Sequence, residues 1–126
     1  METNNRRLIV FNQVTLDGYF TGENDDISWA HHSPGDVEWN TFVSRNMTGE
    51  GVLVFGRKTY EMMAGFWPSP MAKEYDPIMA KQMNEFEKVV FSRTLSNPTW
   101  NNTRLIKGDL VEEIKKLKKE EGRDLV

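Results

Sequence analysis

Gly56-Arg57-Lys58-Thr59 is the tetrapeptide in this chain with the most chemistry in it. It follows the apolar run Val52-Leu53-Val54-Phe55, so a glycine, two cations and a hydroxyl stand where a strand hands over to a helix. Glycine there lets a phosphate approach the backbone. The free N–H groups and the helix dipole favour an anion, and the cations add charge. The competing reading is an ordinary strand-to-helix turn with solvated basic residues. Ser92-Arg93-Thr94, behind Val89-Val90-Phe91, repeats the pattern more weakly, with an Arg suited to bidentate phosphate binding between two hydroxyls. Two such segments on one sheet edge suit a ligand carrying more than one phosphate. In Thr15-Leu16-Asp17-Gly18, Asp17 is the acidic residue that a motif places at that same edge. Its plainer role, as the residue before a glycine, is an Asx-type turn.

Other chemistries find less support. Gly51 to Thr59 nearly spells a P-loop, but it has one residue too many before the lysine. Its spacer is also an apolar strand where a P-loop needs an open glycine-rich loop. His31 and His32 are the two histidines, and neighbouring side chains point apart with no third ligand pattern, so a solvated loop is the better reading and no metal is expected. With no cysteine, a disulfide scaffold, a thiol nucleophile, an iron–sulfur cluster and a thiolate zinc site are all excluded. Trp29, Trp39, Trp67 and the methionines Met62, Met63, Met79 and Met83 read as core filling. Asp36 and Glu38 read as charges favoured by a helix N-terminus.

The elements that must position these residues alternate. Leu8 to Val14 reads as a strand covered on both faces, ending at the Asp17-Gly18 turn. Ser33-Pro34-Gly35-Asp36 reads as a helix start capped by Ser33. Trp39, Phe42, Val43 and Met47 form its buried stripe, and Gly49 and Gly51 end it. Val52–Phe55 is a second strand, followed by a short helix through Ala64. Gly65 to Asp76 holds two prolines and reads as a loop. Asp76 caps the next helix, with Met79, Met83 and Phe86 on its inner face. Val89–Phe91 is a third strand, and a short one lies near Arg104-Leu105-Ile106. Asp109 caps a last helix with stripe Leu110, Ile114, Leu117 and a Glu112–Lys116 pair on its wet face. Asp124-Leu125-Val126 opens another apolar run. Strand–helix alternation at this spacing predicts an α/β sheet with parallel crossovers. The loops after Val14, Phe55 and Phe91 then gather at the strand C-termini, where open α/β sheets bind ligands.

The chain has 126 residues, enough for one domain. Sixteen Lys plus Arg against nineteen Asp plus Glu leave a net charge of −3, which does not suit nucleic acid. Four Trp, three Tyr and seven Phe in a chain that is 38% hydrophobic can build a core. The polar start, with only Leu8 to Phe11 behind it, has neither a signal-peptide core nor a membrane span, so the expected setting is cytoplasmic with no membrane partner.

Three stretches in order carry a family resemblance: Leu8 to Phe20 with its Thr-Leu-Asp-Gly turn, Val52 to Glu61 with Gly-Arg-Lys-Thr-Tyr-Glu, and Val89 to Leu95 with Ser-Arg-Thr. Together they resemble the RibD C-terminal family of the dihydrofolate reductase-like superfamily. The resemblance implies a three-layer α/β/α domain with a mostly parallel sheet, an NADPH-dependent reductase activity, and a homodimer. It implies that Gly56, Arg57, Lys58 and Thr59 contact the cofactor phosphates. Ser92, Arg93 and Thr94 would reach the adenosine ribose and its 2′-phosphate. Val14, Thr15 and Asp17 would line the nicotinamide and substrate cleft, with Asp17 orienting the substrate.

By the same resemblance the substrate is a small heterocycle or sugar phosphate. The riboflavin-pathway members reduce 5-amino-6-(5-phosphoribosylamino)uracil, and the folate members reduce a pterin. Residues 6–126 map onto about the first two-thirds of the family domain, short of a Gly-Ser-Gly turn and the closing strands. The expectation from that is a sheet completed by further residues or by a partner chain. A non-catalytic nucleotide-binding or assembly module therefore stays open beside the enzyme.

Overall fold

A computed structural model of the chain describes residues 5–33, 35–47 and 51–126. Three parallel strands form its centre: β1 (Leu53–Gly56), β2 (Lys88–Phe91) and β3 (Thr103–Ile106), hydrogen-bonded in that order. The register aligns Leu53 with Lys88 and Lys88 with Thr103 at one end, and Gly56 with Phe91 and Phe91 with Ile106 at the other. Beyond β1 the sheet continues as single bridges. Leu125 pairs in parallel with Val52 on one side and with Leu8 on the other. Val126 N–H donates to Val52 O at 2.8 Å, and Ile9 N–H to Leu125 O at 2.7 Å.

Among the described residues the α-helices are α1 (Val37–Met47), α2 (Arg57–Phe66), α3 (Pro70–Tyr75), α4 (Pro77–Glu85) and α5 (Leu110–Lys119). Side chains alternate along the strands and make two cores. On one face Val52, Val89, Ile106 and Leu125 pack against Leu117 of α5. On the other, Leu53 and Val90 pack against Tyr60 of α2, Met83 of α4, and Trp100. The result is a three-layer α/β/α arrangement. Among the described residues no helix is long and apolar enough to cross a membrane.

Several local expectations are corrected. Leu8 to Val14 is not a covered strand. Leu8 makes one bridge, and Leu8, Ile9, Val10, Phe11 and Val14 are all exposed. α1 begins at Val37, and its cap is Asp36, whose Oδ1 accepts from Trp39 N–H at 3.0 Å. Ser33 instead accepts from Gly35 N–H. Pro34 and Gly49 lie outside the described residues. In the expected stripe of α1, Trp39 and Val43 are only half-buried and Phe42 is exposed.

The segment from Gly65 to Asp76 is not all loop. α2 runs on to Phe66, and α3 forms because Ser69 caps it and Pro70 sits at its first turn, where a missing N–H costs nothing. Met62 and Trp29 are exposed and Trp67 is half-buried; the buried tryptophan is Trp100. On α5, Leu110 is exposed, and Lys116 pairs with Glu113 rather than Glu112, which takes Lys115.

Candidate functional site

Because Gly56 and Phe91 end their strands in register, Arg57–Thr59 and Ser92–Thr94 leave the sheet side by side. The N-terminal segment runs parallel to β1 through the Leu8–Leu125–Val52 bridges, so its turn at Thr15–Gly18 lies toward the same edge. The topology thus brings Gly56–Thr59 and Ser92–Thr94 to one edge and directs the N-terminal segment toward it.

The start of α2 differs from the other helix starts. Asp36, Ser69, Asp76 and Asp109 each accept a backbone N–H from the first turn of α1, α3, α4 and α5. Gly56 offers no side chain to do so, and the first turn of α2 contains no acidic residue. Its orphan N–H groups therefore stay available and the positive end of the dipole is uncompensated. A Cβ built on Gly56 would meet no atom within 4 Å, so the space in front of the turn is open. Arg57 is held by Glu61 one turn on, at 2.9 Å, and Lys58 by Asp25 at 3.4 Å. Thr59 is exposed.

Asp25 arrives from the loop after the first turn, where Asn24 and Asp25 both take left-handed backbone angles, φ 57° and 59°. Next to them, N–H and O–H donors from Ser28 hold the Asp26 carboxyl below the usual carboxylate range. The loop is thereby folded on itself and tied to α2 by the Lys58–Asp25 pair.

In the second segment, Ser92 Oγ accepts from the N–H groups of Thr94 at 3.2 Å and Leu95 at 3.0 Å. Ser92 thus shapes the turn and leaves Arg93 and Thr94 exposed beside the α2 start. In the first segment, Gly18 has φ +90° and its N–H donates to Thr15 O. The Thr15 hydroxyl donates to Asp17 Oδ1 at 2.6 Å and accepts from Tyr19 N–H at 2.9 Å. Asp17 does not make the expected Asx-type turn: the Tyr19 N–H goes to the Thr15 hydroxyl, and the Asp17 carboxylate accepts from that hydroxyl and faces solvent. Val14 is exposed and Thr15 half-buried beside it.

Sequence reasoning missed two features. One is an aromatic ladder on the surface: His32 stacks on Trp39 at 3.9 Å, Trp39 neighbours Phe42 at 5.9 Å, and Phe42 neighbours Phe11 at 6.2 Å. The spacing of Trp39 and Phe42 marks them as sharing a face, but not that the face stays only half-buried at Trp39 and exposed at Phe42. The other is Lys88, a charged residue with 0% exposure, which no motif marks.

The edge fits a nicotinamide dinucleotide phosphate in its donor chemistry: an uncapped helix start and three cations for phosphates, with a turn bearing a carboxylate nearby. Residues 6–126 match the model of the RibD C-terminal domain, a reductase-like domain of dihydrofolate reductase fold whose members bind NADPH in general. The chain is also 32% identical over 126 residues to the uncharacterized protein YyaP of Bacillus subtilis (strain 168), covering 98% of this chain and 64% of that protein. The chain therefore spans less than two-thirds of the length of the curated relative it matches. With residues 6–126 matched, this chain belongs to the RibD C-terminal domain family.

Proposed function

We propose that this chain binds NADPH at the sheet edge built by Gly56–Thr59 and Ser92–Thr94 and serves a cytoplasmic reductase of a small heterocyclic or sugar-phosphate substrate. The observation that carries the reading is the start of α2, uncapped, open in front and flanked by cations at the C-terminal edge of a parallel sheet. There the backbone N–H groups and Arg57, Lys58 and Thr59 would hold the phosphates, and Arg93 with its two hydroxyl neighbours the adenosine-side phosphate. When bound, the cofactor supplies the hydride. The chain's own part is to orient it and to hold the substrate, with Asp17 facing a substrate hydroxyl or ring nitrogen. The substrate class follows the riboflavin-pathway members of the family, with a pterin as the alternative.

A second reading, a nucleotide-binding module that works only in assembly, is favoured by the exposed apolar residues of the N-terminal segment. Leu16 is fully exposed, as are most of Val10, Tyr19 and Phe20. We propose a homodimer as the assembly that covers them. Separate titrations with NADPH and NADH test the main reading. The expected result is saturable NADPH binding with at least about tenfold preference over NADH, the equivalent of about 1.4 kcal/mol. Binding of neither dinucleotide overturns it.

A further inference from the structure

Lys88 begins β2 with no exposed surface, a position a lysine takes only when its charge is met by partners. Its Nζ donates to Phe86 O at 2.6 Å, Asn101 O at 2.9 Å and Asn84 O at 3.2 Å, so each ammonium proton has a carbonyl acceptor. Asn84 and Phe86 stand at the negative C-terminal end of α4. Asn101 belongs to the turn that enters β3. The ammonium also lies 4.4 Å from the centroid of the Trp100 ring.

Trp100 is in turn held at each of its N–H groups. The indole N–H donates to Asn84 Oδ1 at 2.7 Å, and the backbone N–H donates to the Tyr60 hydroxyl at 3.1 Å. Its ring packs 6.3 Å from Phe55 and 6.1 Å from Tyr60. Phe55 and Tyr60 bracket Gly56–Thr59 in sequence, one on β1 and the other on α2. A chain of contacts therefore runs from a cation at one end of the sheet to the helix start at the other.

We infer that Lys88, acting through Trp100 and Tyr60, is a positioning residue for the anion-binding turn Gly56–Thr59. The inference rests on reading that turn as the phosphate site. An apolar side chain of similar length would fill the same space and avoid burying a charge, but it would leave the carbonyls of Asn84, Phe86 and Asn101 without their donor. The ammonium adds direction: carbonyls from two separate segments converge on one atom, which sets Trp100, and Trp100 sets Tyr60. None of these three residues needs to touch the ligand.

The test uses the full chain with Lys88→Met, Tyr60→Phe and, as a control in the core on the opposite sheet face, Leu117→Ala. Three quantities are read: unfolding stability, the amide 1H–15N resonances of Gly56–Thr59, and NADPH affinity. Lys88→Met and Tyr60→Phe are expected to shift those resonances and to weaken NADPH by about two- to thirtyfold, the usual range for residues that act through others. The control is expected to lose stability with both other readouts unmoved. If Lys88→Met does not fold, Tyr60→Phe decides. Unchanged resonances in the folded variants overturn the inference, as does a control that moves them equally. If the wild-type chain binds no NADPH, the functional reading fails, and the resonances alone still decide the coupling.

Discussion

Arg57 and Lys58 are each paired with a carboxylate, while among the described residues no hydrogen bond or ion pair engages Arg93. Removing the Arg93 charge is therefore expected to leave the fold intact and, on the proposed reading, to take one charge-assisted contact from a bound phosphate. Arg93→Gln is expected to weaken NADPH by about 1.5–3 kcal/mol, with unfolding midpoints unchanged. Calorimetric titration beside a melting curve checks both. Lys88 makes a different residue-level prediction. Burial pushes its ammonium down to about 8. An unfolded lysine titrates at about 10.4, so between those values the unfolded chain holds more protons than the folded one. The contribution of this group to stability therefore rises with pH across that window and is flat below it. The difference in unfolding free energy between wild type and Lys88→Met should shift in favour of wild type from pH 8 to 10, measured in urea at stepped pH. A constant difference contradicts the shifted titration.

Among the elements, α2 is distinguished by what its first turn lacks. Supplying a cap should oppose ligand binding while helping the helix. Gly56 has φ −78° and open space in front of it, so Gly56→Asp introduces no strain there. Stability is expected to hold or to gain a few tenths of a kcal/mol, roughly the Asp-over-Gly difference at a helix cap. NADPH affinity should fall, because the carboxylate takes the N–H donors and repels phosphate. Retained affinity would move the phosphate site away from α2. The terminal segments depend on another pair. Asp124 accepts from Arg7 at its backbone N–H and guanidinium, both at 2.8 Å, which holds its carboxyl below the usual range. That stabilisation is complete above the ordinary carboxylate pKa and disappears as pH falls through the lowered value. Asp124→Asn should lower the melting temperature at neutral pH and flatten its fall in acid. Identical acid profiles for the two proteins would remove the pair from the stability of the sheet.

On the scale of the whole molecule, the two faces of the sheet are unequally served. One is closed by α5 and the other by α2 and α4, whereas the N-terminal segment and α1 present Phe11, Leu16, Phe20, Val37 and Phe42 to solvent. Apolar surface on that scale favours association. In solution the chain is expected to sediment as a dimer or larger, and the double variant Leu16→Ser, Phe20→Ser to shift it toward monomer without lowering the unfolding midpoint of the sheet core. A wild-type monomer at high concentration would count against the homodimer.

What the chain determines by itself is local. Asp76 and Asp109 as caps, β2 as an apolar run, and the handover at Gly56 depend on neighbours in sequence, and each stands where local spacing puts it. The two prolines between Gly65 and Asp76 read as a loop, yet α3 forms there, because Ser69 caps it and Ala72 is buried against the rest of the fold. Burial is decided at a distance. The same amphipathic spacing that puts Leu117 in the core leaves Phe42 in solvent, because periodicity says which residues share a face and not whether anything covers it. Lys88 is the extreme case. Its letter says surface, and only tertiary structure brings the carbonyls of Asn84, Phe86 and Asn101 to one atom and lays Trp100 beside it. Parallel pairing likewise sets Ser92–Thr94 beside Arg57–Thr59, residues more than thirty apart along the chain, since the register of β1 and β2 is a property of the sheet rather than of either strand.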